Sequence, residues 1–356
     1  MYLLELGGDD DAFAAFEARN AVTGCSLIAP GLAVARAVVP GRARGLAYTH
    51  RVSELVGRTD ADVERARATL EAATVETDRE GSVAVRATDV HGSSGVDTQR
   101  AERVLGRVLV ERGFEVDLEE PDHVLRAAFS EGKVSETGPR STTEGDEPTD
   151  ERVSVCALGW LEVESVRDFG TRSPTDKPFF QPGSMDPLLA RAVANVAGAG
   201  PGRTILDPMC GTGGVLVEAG LVGADVVGID AQEKMVDGAC ENLGHYLEGD
   251  SPVGLPTGEW HVGRGDATRL PLADDAVDAV VFDAPYGRQS KIEQHRLEDL
   301  VAGALGETRR VASRAVVVAD RTWADAAETA GWELEATFER RVHRSLTRYV
   351  MVLTHS

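Results

Sequence analysis

Lysine is almost absent from this sequence. Of 37 basic residues only Lys133, Lys177, Lys234 and Lys291 are lysines, set against 59 acids and a net charge of −22. Scarce lysine beside abundant Asp, Glu, Arg, Ala, Gly and Val resembles the proteome bias of salt-loving microbes. Self-repulsion keeps such a chain dispersed, while molar salt shortens screening to about 3 Å. The same screening removes the usual objection to a polyanionic partner, so local basic clusters must decide that point. Cysteine is scarce too. Cys25, Cys156, Cys210 and Cys240 are scattered without a CxxC or a Cys/His cluster, which indicates neither a disulfide framework nor a zinc site. No apolar run approaches the roughly 18 residues of a membrane span. Met1-Tyr2-Leu3-Leu4-Glu5-Leu6 has neither the basic start nor the long apolar stretch of a secretion signal. The expectation is a cytoplasmic protein with no membrane segment and no metal.

What the chain has is length and a strong strand–helix pattern. Its 356 residues suffice for two or three domains. Residues 1–58 mix short strands with a helix at 11–20 and read as a ferredoxin-like α+β unit. Residues 59–165 continue with a helix at 60–70, a strand at 82–87, a helix at 97–112 and strands at 114–118, 124–129 and 153–163. Between the last two, residues 130–152 are rich in Ser, Thr, Gly, Pro and acids. They cannot bury enough apolar surface to offset ordering entropy, so a disordered surface insertion is expected, with a functional acidic tract as the alternative. Residues 166–178 read as a linker edged by Pro174 and Pro178. From 179 to 356 strands at 204–207, 225–230, 260–265, 277–283 and 314–320 alternate with helices, and a strand pair near 332–341 and 347–354 closes the chain. This is α/β: a Rossmann-like, doubly wound sheet of seven strands.

Two stretches of that second half carry chemistry. Asp207-Pro208-Met209-Cys210-Gly211-Thr212-Gly213-Gly214 follows the apolar run 204–206, and Asp283-Ala284-Pro285-Tyr286-Gly287 follows 279–282. Both sit at carboxyl ends of expected parallel strands, where open sheets bind ligands. The glycines of the first allow close approach of a nucleotide cofactor before a helix opens; a purely structural turn would look the same. Asp230 ends the next strand 23 residues on, near the spacing of a ribose-binding acid, and Asp266 ends the third. A dehydrogenase would account for Asp230 but not for Asp207 or the second stretch. That second stretch offers a carboxylate, a backbone carbonyl and an aromatic face, the parts needed to hold a planar exocyclic amine. If Asp283 and the Ala284 carbonyl each accept one N–H, the lone pair turns toward an incoming methyl group and the developing charge is stabilised. Tyr286 would stack on an extruded base. A helix-capping Asp283 with a core Tyr286 is the structural alternative.

These motifs resemble the amino-methyltransferases carrying an Asp/Asn-Pro-Pro-Tyr tetrad, and the whole chain is similar to the archaeal tRNA guanine-N2 dimethyltransferases acting at position 10. His91-Gly92-Ser93-Ser94-Gly95-Val96-Asp97-Thr98-Gln99, running into Glu102-Arg103-Val104-Leu105-Gly106, is similar to the THUMP domain of RNA-modifying enzymes. Lys177-Pro178-Phe179-Phe180-Gln181-Pro182-Gly183-Ser184-Met185 resembles the family's entry to its catalytic domain, and Val342-His343-Arg344-Ser345-Leu346-Thr347-Arg348 its C-terminal signature. The resemblance implies a seven-stranded methyltransferase domain at 179–356 behind a THUMP domain at 59–165. It also implies S-adenosyl-L-methionine as cofactor, tRNA as partner, and mono- and then dimethylation; a monomer is expected. Asp207, Pro208, Gly211, Gly213, Asp230, Asp266 and Ala267 would line the cofactor pocket, with Phe180 near its methionine end. Asp283, Ala284, Pro285 and Tyr286 would form the catalytic element. Ala284 departs from the family's proline: the carbonyl acceptor survives and ring rigidity is lost. Candidate RNA contacts are Arg340, Arg341, His343, Arg344 and Arg348, with Arg86, Arg100, Arg103, Arg107 and Arg126 in the THUMP-like part; arginines paired with acids would leave the same pattern. Methylation of another tRNA or rRNA guanosine, or a non-catalytic RNA-binding role, remain the other readings.

Overall fold

The computed structural model describes residues 1–73, 79–134, 152–249, 251–285, 291–343 and 346–355, with the backbone alone at 291–296, 342–343 and 346. The described residues separate into two units, one ending at Ser165 and one starting at Val166.

The first unit opens with β1 (Tyr2–Leu6), α1 (Asp11–Ala18), β2 (Val22–Thr23), β3 (Ser26–Ala29), β4 (Leu32–Ala35), β5 (Ala37–Val38) and α2 (Pro40–Ala43). It continues with β6 (Thr49–Thr59), α3 (Val63–Ala72), β7 (Ser82–Asp89), α4 (Thr98–Glu111), β8 (Glu115–Val116), β9 (His123–Lys133) and β10 (Arg152–Glu164). Eight of these strands make one sheet in the order β3-β4-β1-β6-β10-β9-β7-β8. Residues 1–58 and 59–165 therefore share a sheet, because β6 runs through the expected boundary and pairs with β1 on one side and β10 on the other. The sequence of α4 explains its place. Asp97 caps it by accepting the Arg100 N–H at 3.0 Å, and Ala101, Leu105, Val108 and Leu109 recur at helical spacing on the buried face. That face joins Leu70, Val85, Phe129 and Trp160 in the core. β9 and β10 pair as far as Lys133 opposite Arg152, and Ser130 is fully buried. The expected insertion is thus too long at both ends: backbone pairing holds the polar residues 130–133 and 152 in strands whatever their side chains. Residues 135–151 lie outside the described residues.

In the second unit the expected linker is folded. Short 3-10 turns at Phe169–Arg172 and Pro174–Asp176 precede α5 (Pro187–Ala197), and both Phe169 and Arg172 are buried. Then follow β11 (Thr204–Asp207), α6 (Gly214–Leu221), β12 (Asp225–Asp230), α7 (Glu233–Leu247), β13 (Trp260–Arg264) and β14 (Ala279–Asp283). The chain ends with α8 (Lys291–Val311), β15 (Arg314–Ala319), α9 (Ala324–Thr329), β16 (Glu333–His343) and β17 (Leu346–Thr354). Arg172 Nε donates to Glu218 of α6 at 2.7 Å, and Arg191 of α5 reaches the other Glu218 oxygen at 2.8 Å. A buried ion cluster thus fastens the segment to two helices. The sheet order is β13-β12-β11-β14-β15-β17-β16, parallel except for β17, which runs antiparallel to both neighbours. Successive strands wind outward on one side of β11 and on the other side of β14. The reversal falls between those two strands and places the crevice at their carboxyl ends. Under it pack Leu206, Phe282, Val301, Leu305, Val317 and Met351, each burial contributing about 1.5–3 kcal/mol.

Candidate active site

Asp207 and Asp283 end the two central strands, so residues 76 positions apart in sequence face one crevice. The loop after Asp207 is held by its own backbone. The Met209 N–H donates to Asp207 Oδ1 at 3.0 Å, and the Cys210 N–H donates to the Ile229 carbonyl at 3.0 Å, tying the loop to β12. Gly213 takes φ +74° where α6 begins, and a Cβ there would lie 3.3 Å from that of Ala239. Only glycine gives this turn without strain. Asp230 accepts the Gly211 N–H at 3.0 Å and the Gln232 N–H at 2.9 Å. It therefore organises the loop while lying at the end of β12.

On the other wall the Ala284 N–H donates to the Val318 carbonyl of β15 at 2.7 Å, and no backbone donor among the described residues reaches the Ala284 carbonyl. A proline could not make the first of these bonds. Ala284 exchanges ring rigidity for a hydrogen bond that fixes the same backbone. A cavity of about 210 Å³ joins Asp207, Cys210 and Gly211 to Asp283, Ala284 and Pro285, with residues 181–185 as its third wall. Tyr286 lies outside the described residues.

Burial pushes the Asp207 carboxyl up to about 8, and the charges of Asp283 and Asp230 act in the same direction against the Met209 N–H. The Cys210 thiol, buried beside the same acids, is also raised. Asp266 is exposed and held below the usual carboxylate range by the Thr268 N–H and hydroxyl at 2.9 and 2.8 Å. Asp207 and Asp283, at adjoining strand ends, line a pocket suited to a cation.

The structure brings together Asp207, Gly211, Asp283, Ala284 and Pro285 as cavity walls. Asp230 reaches it through Gly211, while Pro208 and Ala267 are buried beside their strand ends. Phe180 does not line the cavity. Its side chain is 41% exposed, and Gln181 to Met185 take the place expected for it. The reason is the neighbouring ring: Phe179 packs on Gly238, and its backbone N–H and carbonyl are both gripped by the Asn242 side chain at 2.9 Å, which turns the next residue outward.

The basic candidates divide in the same way. Arg341 is exposed on β16 and Arg340 partly buried; Arg344 and the His343 side chain lie outside the described residues. Arg348 is not a surface cation. It is 5% exposed, with Nη2 3.3 Å from Asp283 Oδ2. In the first unit Arg126 is buried in a two-bond pair with Glu5 at 2.7 Å, and Arg100 pairs with Glu64 at 2.8 Å. A buried guanidinium takes an internal carboxylate, which leaves Arg126 no phosphate to meet. Arg103 and Arg107 border a groove between α4 and β7.

Sequence reasoning missed Asn242. It is fully buried on α7 and also donates to the Thr212 carbonyl at 2.8 Å, joining the loop after Asp207 to the segment at 179. A polar residue between the buried Ala239 and Leu243 was its signal. Lys177 was noted only as part of a motif. It is 6% exposed, its Nζ 3.0 Å from where a Cβ on Gly214 would sit, and burial lowers its ammonium pKa.

Residues 174–350 match the family described as "UPF0020: RMKL-like, methyltransferase domain". A tRNA (guanine(10)-N2)-dimethyltransferase of Methanothermobacter thermautotrophicus is 34% identical over 318 residues, 86% of this chain and 83% of that one. The protein of the same name from Pyrococcus abyssi is 31% identical over 278 residues, covering 77% and 74%. Among solved structures, TrmN from Thermus thermophilus aligns with 100% of this chain and 99% of its own at 23% identity and a TM-score of 0.48.

Proposed function

Because the chain belongs to the family of archaeal tRNA (guanine(10)-N2)-dimethyltransferases, we propose that it methylates the exocyclic N2 of a guanosine in tRNA. The position is 10, the donor is S-adenosyl-L-methionine, and a second methylation follows the first. One observation carries the reading: the glycine loop after Asp207 and the Asp283–Ala284–Pro285 element line a single cavity.

The residues present suit the donor. Asp207 is a buried carboxyl that an arriving ammonium or sulfonium would ionise, and Asp230 sets the Gly211 turn beside which a ribose would lie. When bound, the donor supplies a methyl group on a positively charged sulfur. The chain's own residues then act on the acceptor. Asp283 and the Ala284 carbonyl accept the two N–H hydrogens of the guanine amine, aim its lone pair into the cavity and stabilise the charge that develops on nitrogen. Tyr286 stacks on the extruded base. The first unit, as a THUMP-bearing region, and the cations near Arg341 hold the tRNA. The acid-rich, lysine-poor composition supports work in a salt-rich cytoplasm, and a monomer is proposed. Among the described residues no helix is long and apolar enough to cross a membrane, and no group of side chains could hold a metal ion.

Single-turnover methylation of a tRNA transcript in strong salt, followed by nucleoside mass analysis, tests the reading. N2-methylguanosine and then N2,N2-dimethylguanosine are expected at position 10. Asp283→Asn should slow the step by about 10²-fold or more, the scale of losing one preorganised charge-stabilising group, with donor binding retained. If Asp283→Asn and Tyr286→Ala both react at the wild-type rate, the target base is not held here.

A further inference from the structure

Arg348 stands out because its place is set by topology rather than by sequence proximity. The parallel strands β11, β14 and β15 all end at the crevice, whereas β17 runs the other way and begins there. In register, Asp283 lies opposite Val318 of β15, and Val318 lies opposite Val350 of β17, so Arg348 sits two residues nearer the crevice. Its guanidinium reaches back across β15 to Asp283 Oδ2 at 3.3 Å.

We propose that Arg348 is a positioning residue for methyl transfer, anchoring the Asp283 carboxylate through Oδ2 and keeping it ionised beside the buried carboxyl of Asp207. The inference rests on the reading that Asp283 holds the target amine. Three observations support it. Arg348 is 5% exposed, so its charge faces protein and not phosphate. Arg340 lies directly opposite it on β16, a like-charge pair that a nearby carboxylate offsets. Two carboxylates in one pocket cannot both ionise cheaply: Asp283 is paired with the buried cation, while Asp207, raised chiefly by its own burial, is the one driven toward the neutral form. The charged groups that neighbouring strands bring toward this pair are Asp207 from β11, Asp230 from β12, Asp320 with its partner Arg321 after β15, and Arg340 from β16. A neutral Asp283 would offer a hydrogen-bond donor where the amine needs an acceptor.

Carboxyl-carbon NMR of the full-length protein, with the Asp283 signal assigned by its loss in Asp283→Asn, reads the charge directly. The pH profile of single-turnover methylation reads its consequence. In Arg348→Gln both the Asp283 midpoint and the acid limb of the rate profile should rise by about one to three pH units. Arg348→Lys should recover most of that rise, and donor binding by calorimetry should persist in each variant. If Arg348→Gln gives no cooperative melt, Arg348→Met, apolar and similar in length, takes its place. An unmoved Asp283 midpoint in the uncharged variant, or no recovery with lysine, overturns the proposal. If the midpoint moves but wild-type protein places no methyl group on a tRNA guanosine, the anchoring stands and the functional reading fails.

Discussion

Asp207 allows the proposed cofactor pocket to be tested without RNA. Burial and two neighbouring carboxylates raise its carboxyl to about 8, so at neutral pH roughly nine in ten copies are protonated. A cationic ligand within hydrogen-bonding reach lowers a carboxyl by about 1–3 units; a drop of about two leaves roughly one copy in ten protonated. Binding of S-adenosyl-L-methionine near pH 7 should therefore release roughly 0.8 proton, and its association constant should rise roughly fivefold per pH unit between about 6 and 8. The sign follows from the direction of the shift: the ligand pulls the pKa down, so removing protons from solution favours the bound state. The sign for the ligand-free fold is opposite. A carboxyl raised on folding stabilises the native state below its unfolded value, and that contribution is lost as pH climbs toward about 8. Calorimetric titrations in phosphate and in Tris, whose protonation enthalpies differ, measure the proton count. Asp207→Asn keeps an oxygen for the Met209 N–H but has no proton to lose, so its enthalpy should be nearly buffer-independent and its affinity nearly flat with pH. A wild-type enthalpy that does not depend on buffer, or an Asn variant with the wild-type slope, refutes the reasoning.

Three further outcomes follow from the site. Asp230→Ala removes the acceptor for the Gly211 and Gln232 N–H groups together with the proposed ribose contact, and should weaken donor binding by roughly 2–4 kcal/mol; unchanged affinity at high salt would remove Asp230 from the pocket. Asn242→Ala leaves the Phe179 and Thr212 carbonyls without their donor and should cost about 1–3 kcal/mol of unfolding free energy, measured by denaturant titration, with donor affinity falling as well. Ala284→Pro, although it restores the family residue, deletes the 2.7 Å bond to Val318 and should lower stability by about 1–3 kcal/mol; an unchanged melting temperature would mean that β14 and β15 close without that bond.

The second half of the chain was legible because its signals are local. An apolar run of a few residues ending in Asp, followed by glycines, specifies a strand end and a turn wherever the rest of the chain goes, and the strand order then puts Asp207 beside Asp283. What was illegible depends on distant partners. Nothing near Arg348 says that β17 is inserted between β15 and β16, and that insertion alone turns a presumed surface cation into the partner of Asp283. Arg126 misled in the same way, since its partner Glu5 is 121 residues away. Phe180 and Phe179 are adjacent rings of equal chemistry, and only the side chain of Asn242 decides which of them turns inward. The division at residue 58 was drawn from the local run of strands and helices, but the backbone hydrogen bonds of β6 carry one sheet across it.

The ion cluster around Glu218 bears on where this protein could be cut. A fragment starting at Phe179 would look reasonable from the strand pattern. It would nevertheless strip Glu218 of its 2.7 Å bond from Arg172 and open the buried Arg191–Glu218 contact to water on the side that Phe169 covers. Truncating one partner of such a buried network commonly costs about 3–5 kcal/mol, a large share of what an ordinary domain has to spare. The catalytic half carried onto another substrate-binding module should therefore be taken from Val166, so that Asp168, Phe169, Arg172 and Lys177 travel with the helices they fasten.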